Sequence, residues 1–481
     1  MQQVILFFTL VFYSHLILAL EPFHNELLSQ SVLVVRASDG KVMYEKDADL
    51  VLNPASVTKL ITTAATLDYF GPNRKFKTKV LLNGRFAKGI VLGDLIFRGG
   101  GDPFVVTEKL WQIVQDLKAM GLREIKGDLV IDNSLFQPWA KDGVREEGAN
   151  SSQHAYDAQV TAFGVNFNTV CLNVIAGAKV GELAVVSIEP YPLSVVMIDN
   201  KLVTKSSGRS VIQVERQSLA GGKLKLSLKG AVSLGASPTK IYRSVPDPEI
   251  FAGDMVKAFL QHNQVFLHGK VKFSANLVHG DDFYEKDSEE LSELLRGLNF
   301  FSNNYMADVL FKRLGAEYQV MHKLPAIGSY SSGVKAVSFF LKDKVGIKEP
   351  FTLINGSGLS VNTRVSARQL CSLLRYVWRN WQIFPEFLAS LPTAGATGSL
   401  KNRFLNKDVA KLRGRLRAKT GSLTSPVVVS ALSGFLSDEK DDLLLFTILQ
   451  NGMLAKTQPD LQSLHEAQER DLLKVISLTS N

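Results

Sequence analysis

The chain has 481 residues, two cysteines and a formal net charge of +9. That length exceeds one ordinary domain and suffices for a sizeable core. Two cysteines exclude a disulfide framework, so Cys171 and Cys371 are expected as free buried thiols. No basic run is interleaved with aromatics, which excludes a nucleic-acid binder.

Val4 to Leu20 is an apolar run closed by Glu21-Pro22. It is short of the roughly 20 residues of a membrane span, and it reads as an export signal over 1–20 that is cleaved rather than kept as an anchor. Strand-like Ser31–Ser38 and Val42–Lys46 follow, with Ser38-Asp39-Gly40-Lys41 as the turn of a hairpin. Asn53-Pro54-Ala55 is a helix-start signal, and Leu60–Leu67 is apolar with small residues, as a core helix should be. Between Phe76 and Phe273 come turn-punctuated apolar runs: Lys79–Leu82, Ile90–Phe97, Leu129–Ile131, Val170–Ile175, Leu183–Ile188, Val211–Arg216 and Lys223–Leu228. They predict β-rich modules. Gly99-Gly100-Gly101 lacks the lysine of a phosphate loop and reads as a turn. Tyr305–Phe311 is amphipathic and helical, and Leu416–Thr420, Val427–Leu436 and Leu443–Gln450 read as three more strands.

Three short motifs carry chemistry: Ser56-Val57-Thr58-Lys59, Ser302-Asn303-Asn304 and Lys419-Thr420-Gly421. In that order they are the parts of a serine acyltransferase whose base is lysine. Ser-x-x-Lys also occurs at Ser38/Lys41, Ser237/Lys240, Ser332/Lys335 and Ser437/Lys440, and Ser-x-Asn at Ser274/Asn276 and Ser360/Asn362. Only Ser56 opens a helix cleanly, which sets Lys59 on the same face one turn on. Ser38, Ser237, Ser332 and Ser437 read as turn or loop serines. Lysine serves as a base only when neutral, against an ordinary pKa of about 10.4. Burial and a nearby second cation both favour the neutral form, and Lys419 is the expected cation. Gly421 lets a substrate backbone lie close to its strand. Ser360-Val361-Asn362, in a glycine turn, rivals Ser302/Asn304 on the residues alone. No histidine pair, metal motif or Gly-x-Ser-x-Gly elbow is present, so neither metal nor any other cofactor is expected.

With these motifs in order, the chain resembles the low-molecular-mass class C penicillin-binding proteins, the D-alanyl-D-alanine carboxypeptidase/endopeptidase family. The resemblance extends to Gly93-Asp94-Leu95 with Arg98–Pro103, Asn355–Ser360, Leu391–Gly395 with Gly398-Ser399-Leu400, and Ala418–Leu423. It makes Ser302/Asn304 the second motif and places Ser360 in the glycine turn. Two positions depart from the family's usual aspartate, Asn303 and Asn355, which implies altered tuning rather than loss. The acid that often binds the diamino-acid side chain has no clear counterpart around Ala149-Asn150-Ser151-Ser152.

The resemblance implies an α/β (α+β) fold, a β-lactamase-like transpeptidase domain with a central five-stranded antiparallel sheet flanked by helices and a β-rich two-module insertion between the first two motifs. The expected division is 21–75 with 274–481 as the catalytic domain and 76–273 as the insertion. By resemblance Ser56 is the nucleophile, Lys59 its base and Ser302 a proton relay. Asn304, Lys419, Thr420 and Ser422 bind substrate, and the backbone N–H groups of Ser56 and Ser422 form the oxyanion hole. The implied activity is that of an exported serine DD-peptidase in the cell envelope, acting on peptidoglycan stem peptides and cross-links and acylated by β-lactams. A β-lactamase-like hydrolase and a catalytically decayed wall-binding protein are the alternatives. The charge is compatible with peripheral membrane contact, and the sequence assigns no oligomeric state.

Overall fold

The computed structural model describes residues 22–139, 153–454 and 456–479. The expected export signal and the segment 149–152 lie outside them. The chain divides into two compact units, one of 1–72, 295–303 and 337–481, the other of 73–294 and 304–336.

The first unit is built on one five-stranded sheet in the order Leu416–Leu423, Val429–Ser437, Leu443–Gly452, Leu28–Arg36, Val42–Lys46. All four pairings are antiparallel. This is the expected five-stranded antiparallel sheet, and its strands come from both ends of the chain. Its central strands are apolar on both sides because both faces are covered. Val32, Val34, Leu432, Phe446 and Ile448 pack in one core with Leu472, Val475 and Ile476 of the C-terminal helix Leu461–Thr479. Towards the other face, Cys371 of the Ala367–Arg379 helix donates to Leu33 O and to Thr447 Oγ1. That helix starts with a reciprocal capping box between Ser366 and Gln369. Arg403 and Glu469, both nearly inaccessible, pair at 2.7 Å, and the same carboxylate accepts the Phe404 N–H.

The helix Thr58–Phe70 is buried at every residue from Thr58 to Leu67. That explains a sequence of small and apolar residues with no polar face. Its threonines spend their hydroxyls on carbonyls, Thr62 on Gly356 O and Thr66 on Thr62 O, both at 2.8 Å.

The second unit holds a seven-stranded mixed sheet and two three-stranded sheets, with one large apolar core. Every predicted β run finds a strand, and further strands at Val196–Lys205, Thr239–Ser244 and Asp281–Asp287 had no clear signal. The last pairs with the Lys77–Ala87 strand, so this sheet continues past Phe273, the expected edge of the insertion. Two helices here, Thr107–Ala119 and Pro248–His262, were not expected among the β modules. Pro248 at the first turn, behind the Asp247 cap, is the start signal for the second.

Cys371 is a free, buried thiol pushed up to about 12 by desolvation. Cys171 is also free but only half-buried, because it stands on a strand of a thin three-stranded sheet. Among the described residues no helix is long and apolar enough to cross a membrane.

Candidate active site

Ser56 lies in a single 3-10 turn, Ala55–Val57, that leads directly into the Thr58–Phe70 helix. The turn is clamped from both sides. Asn53 Oδ1 accepts the Ala55 N–H at 2.7 Å, while Asn53 and Asn451 exchange backbone-to-side-chain hydrogen bonds at 2.8 and 3.0 Å. Ala55 is held at φ 45°, a conformation rare for a residue with a Cβ. Such strain persists only where the surroundings impose it. Gly358 supplies part of the imposition: at φ +74°, a Cβ there would lie 1.9 Å from Ala55 O.

Lys59 has no solvent exposure. Its Nζ donates to Ser56 Oγ at 2.9 Å and to the Ser357 carbonyl at 2.6 Å. The Ser357 carbonyl was not singled out in the sequence, although its Gly-Ser-Gly turn was. Asn355 Oδ1 accepts the Gly358 N–H at 2.9 Å, so the amide oxygen here pins the turn in the way a carboxylate oxygen would.

Lys419 sits on the Leu416–Leu423 strand at the edge of the sheet, and it too is fully buried. Its Nζ donates to Ser302 Oγ at 2.8 Å and to Thr420 O at 2.9 Å. No carboxylate among the described residues pairs with it, and desolvation pushes its pKa down to about 7. Thr420 Oγ1 donates to Ser399 Oγ at 2.8 Å, a hydroxyl that the resemblance placed in a family element without a role. Gly421 brings the strand against the serine turn: a Cβ there would lie 2.4 Å from Pro54 O and 3.1 Å from Ser56 N. Ser422 follows with its side chain exposed.

Ser302 is held at φ 53°, just after the Leu291–Phe300 helix. Asn299 of that helix is anchored to Thr63 Oγ1 at 3.1 Å and Ser390 Oγ at 2.9 Å. Asn304 opens the Asn304–Met321 helix, is 8% exposed, and donates Nδ2–H to Tyr156 O at 2.9 Å. Thus the structure joins Ser56 to Lys59 and Ser302 to Lys419.

The competing motifs fall elsewhere. Ser38 lies in the expected hairpin turn, Ser437 ends its strand just before the other turn, and Ser237 is in a loop. Ser332 is not a turn serine: it lies in the first turn of the Tyr330–Phe339 helix, buried against Ser329, with Lys335 exposed. A helix-opening Ser-x-x-Lys therefore occurs twice, and burial of the lysine separates the two. Ser360 Oγ accepts the Asn362 N–H of its own turn at 3.2 Å.

A profile of the D-Ala-D-Ala carboxypeptidase 3 (S13) family matches residues 24–470. The chain belongs to that family. As an S13 member it is a serine-type D-Ala-D-Ala carboxypeptidase. It is 30% identical over 443 residues to a D-alanyl-D-alanine carboxypeptidase of Actinomadura sp. (strain R39), covering 88% of this chain and 77% of that protein. Its fold is similar to the crystal structure of penicillin binding protein 4 from Haemophilus influenzae, with a TM-score of 0.76 at 22% identity, covering 94% of this chain and 96% of that one. That protein has also been solved complexed with a novel β-lactam. A predatory peptidoglycan endopeptidase of Bdellovibrio bacteriovorus is similar at a TM-score of 0.51 and 15% identity, covering 94% of this chain and 93% of the other. The penicillin-binding fold expected from the motifs is thus present in this S13 chain.

Proposed function

We propose that Ser56 is the acylated residue of this DD-peptidase and that wall stem peptides and their D-alanyl cross-links are its substrates. One observation carries the reading: the only solvent-sealed lysine of a Ser-x-x-Lys motif among the described residues, Lys59, stands 2.9 Å from its own serine hydroxyl. Hydrogen-bond reach is the first requirement of a general base.

Ser56 Oγ attacks the carbonyl carbon between two D-alanines, and its proton passes to Lys59. The carbonyl oxygen becomes an oxyanion held by the backbone N–H groups of Ser56 and Ser422; losing one such donor typically costs about a hundredfold or more. As the C–N bond breaks, a proton reaches the leaving amine by way of Ser302, and free D-alanine departs. Water then cleaves the acyl ester and restores the Ser56 hydroxyl. Lys419, Thr420 and Ser422 hold the terminal carboxylate by charge-assisted hydrogen bonds, while Asn304 holds the substrate amide. A lactam carbonyl undergoes the same attack, but its amine stays tethered, so the acyl-enzyme persists. In a cross-link the leaving amine belongs to a neighbouring peptide and the attack is unchanged, which makes one site serve both carboxypeptidase and endopeptidase reactions.

The five-stranded sheet drawn from both chain ends supports 21–75 and 274–481 as the catalytic part and 76–273 as the insertion, except that the Asp281–Asp287 strand pairs with Lys77–Ala87 and so goes with the insertion. Because the substrate lies in the wall, the enzyme acts in the envelope, and the apolar Val4–Leu20 run is its export signal.

The test is benzylpenicillin labelling followed by peptide mapping, with purified muropeptides as a second substrate. One adduct on the peptide holding Ser56, and muropeptides that lose one alanine or dimers that split, are the expected results. An adduct on another serine sinks the assignment of Ser56. Release of hydrolysed penicillin as fast as it binds points to a β-lactamase instead.

A further inference from the structure

Within the second unit, the beginning of the Lys77–Ala87 strand, the end of the Ile90–Arg98 strand and the Asn304–Met321 helix border a cavity of about 670 Å³. That is inside the range of about 300–1,000 Å³ that small-molecule sites occupy. Six of its lining residues are cations, Arg74, Lys75, Lys77, Lys79, Arg98 and Arg313, and none is acidic. Strand register sets Lys79 directly opposite Arg98, and like charges so placed destabilise a sheet unless anions offset them.

Part of the offset is internal. Arg98 pairs with Asp132 at 2.8 Å, Lys79 with Asp282 at 3.0 Å, Lys77 with Glu285 at 2.5 Å and Arg313 with Glu317 at 2.6 Å. Arg74 and Lys75 reach Glu317 and Glu290 only at 3.7 and 3.9 Å. The pairs of Lys75, Lys77 and Lys79 are open to solvent, and such pairs hold weakly and exchange readily for other anions. Arg313 is mostly buried, yet its Nε finds no acceptor among the described residues. Beside the cations, Phe76, Leu135, Leu277, Pro325 and Ile327 give the wall an apolar side.

We propose that this cavity is a second, non-catalytic seat for the free carboxylates of a peptidoglycan stem peptide. The proposal rests on the reading of wall peptide as substrate. Such a peptide offers several carboxylates for lysine and arginine, and its alanine methyls and diamino-acid methylenes suit the apolar side. A phosphodiester polymer would meet the cations but leave Leu135, Leu277, Pro325 and Ile327 uncovered.

The full chain, first acylated with benzylpenicillin so that the catalytic site is closed, is titrated with a fluorescent wall pentapeptide ending in D-Ala-D-Ala. The expected result is saturable binding that weakens at least tenfold in the triple variant Lys75→Gln, Lys77→Gln, Lys79→Gln. The triple arginine variant at the same positions keeps its affinity, the amidated peptide binds at least tenfold more weakly, and the glutamine variant is acylated within about twofold of the wild-type rate. No binding to the acylated chain, equal binding by the glutamine variant, or tighter binding of oligomeric glycerol phosphate overturns the proposal. Failure of benzylpenicillin to acylate counts against the assignment of Ser56 instead, and the lysine dependence of peptide binding then still decides the cavity.

Discussion

In the proposed mechanism two buried lysines, each bonded to a serine hydroxyl, carry the chemistry, and they predict different behaviour. Lys59→Ala should reduce penicillin acylation by about a hundredfold to ten-thousandfold, the usual worth of a general base. Rapid-quench labelling measures it, and acylation at near wild-type rate would mean that another base is at work. Lys419 makes a thermodynamic prediction as well. Its native pKa is near 7, whereas an unfolded lysine titrates near 10.4. Between those values the unfolded chain holds a proton that the native chain lacks, so stability rises with pH across that window. The slope is at most about 1.4 kcal/mol per pH unit. Below about pH 7 both states are protonated and the stabilisation is gone. Urea unfolding from pH 6 to 10 should show the rise in the wild type and a flatter profile in Lys419→Met, which has no ammonium to bury. Equal slopes would show that Lys419 stays charged when folded. Among the residues, the serines and lysines were legible because their spacing is chemical. The Ser357 carbonyl was not, since any residue supplies a backbone oxygen.

The serine turn, the glycine turn and the edge strand form a set of rigid parts in contact. Gly358→Ala would put a methyl into Ala55 O and demand φ +74° of a residue with a Cβ. Acylation should fall by at least a hundredfold while far-UV circular dichroism stays native, because the Ala55–Val57 turn must move and the sheet need not. A Gly358→Ala enzyme of wild-type rate would show that the turn yields cheaply. Periodicity located the strands of the five-stranded sheet because their apolar runs are long and bounded by turns. It missed Asp281–Asp287, whose acidic sequence carries no apolar alternation; that strand is held by its pairing with Lys77–Leu82. The Thr107–Ala119 and Pro248–His262 helices went unread among strand signals, although the Asp247 cap and Pro248 are a legible start.

At the scale of the molecule the chain changes unit repeatedly, at 72/73, 294/295, 303/304 and 336/337. A single excision of 76–273 would therefore leave Asp281–Asp287 without its partner strand and keep 304–336 without the remainder of its unit. Such a truncated chain should be insoluble or lack cooperative unfolding, and a soluble form that is acylated at the wild-type rate would refute this. The Arg403–Glu469 pair ties the C-terminal helix to the rest of the first unit. Glu469→Gln should cost about 3–5 kcal/mol, the penalty of stranding a buried partner, read as a lower urea midpoint. The sequence by itself marked the candidate residues for acyl transfer, the order of the motifs and the strand-like runs at both chain ends, because spacing and apolar period are local properties. Only the tertiary structure decided which Ser-x-x-Lys has a buried lysine, that Lys419 meets Ser302, and that six cations line one cavity. Those outcomes depend on contacts between residues far apart in the chain, where burial rather than residue type sets the charge and reach of each group.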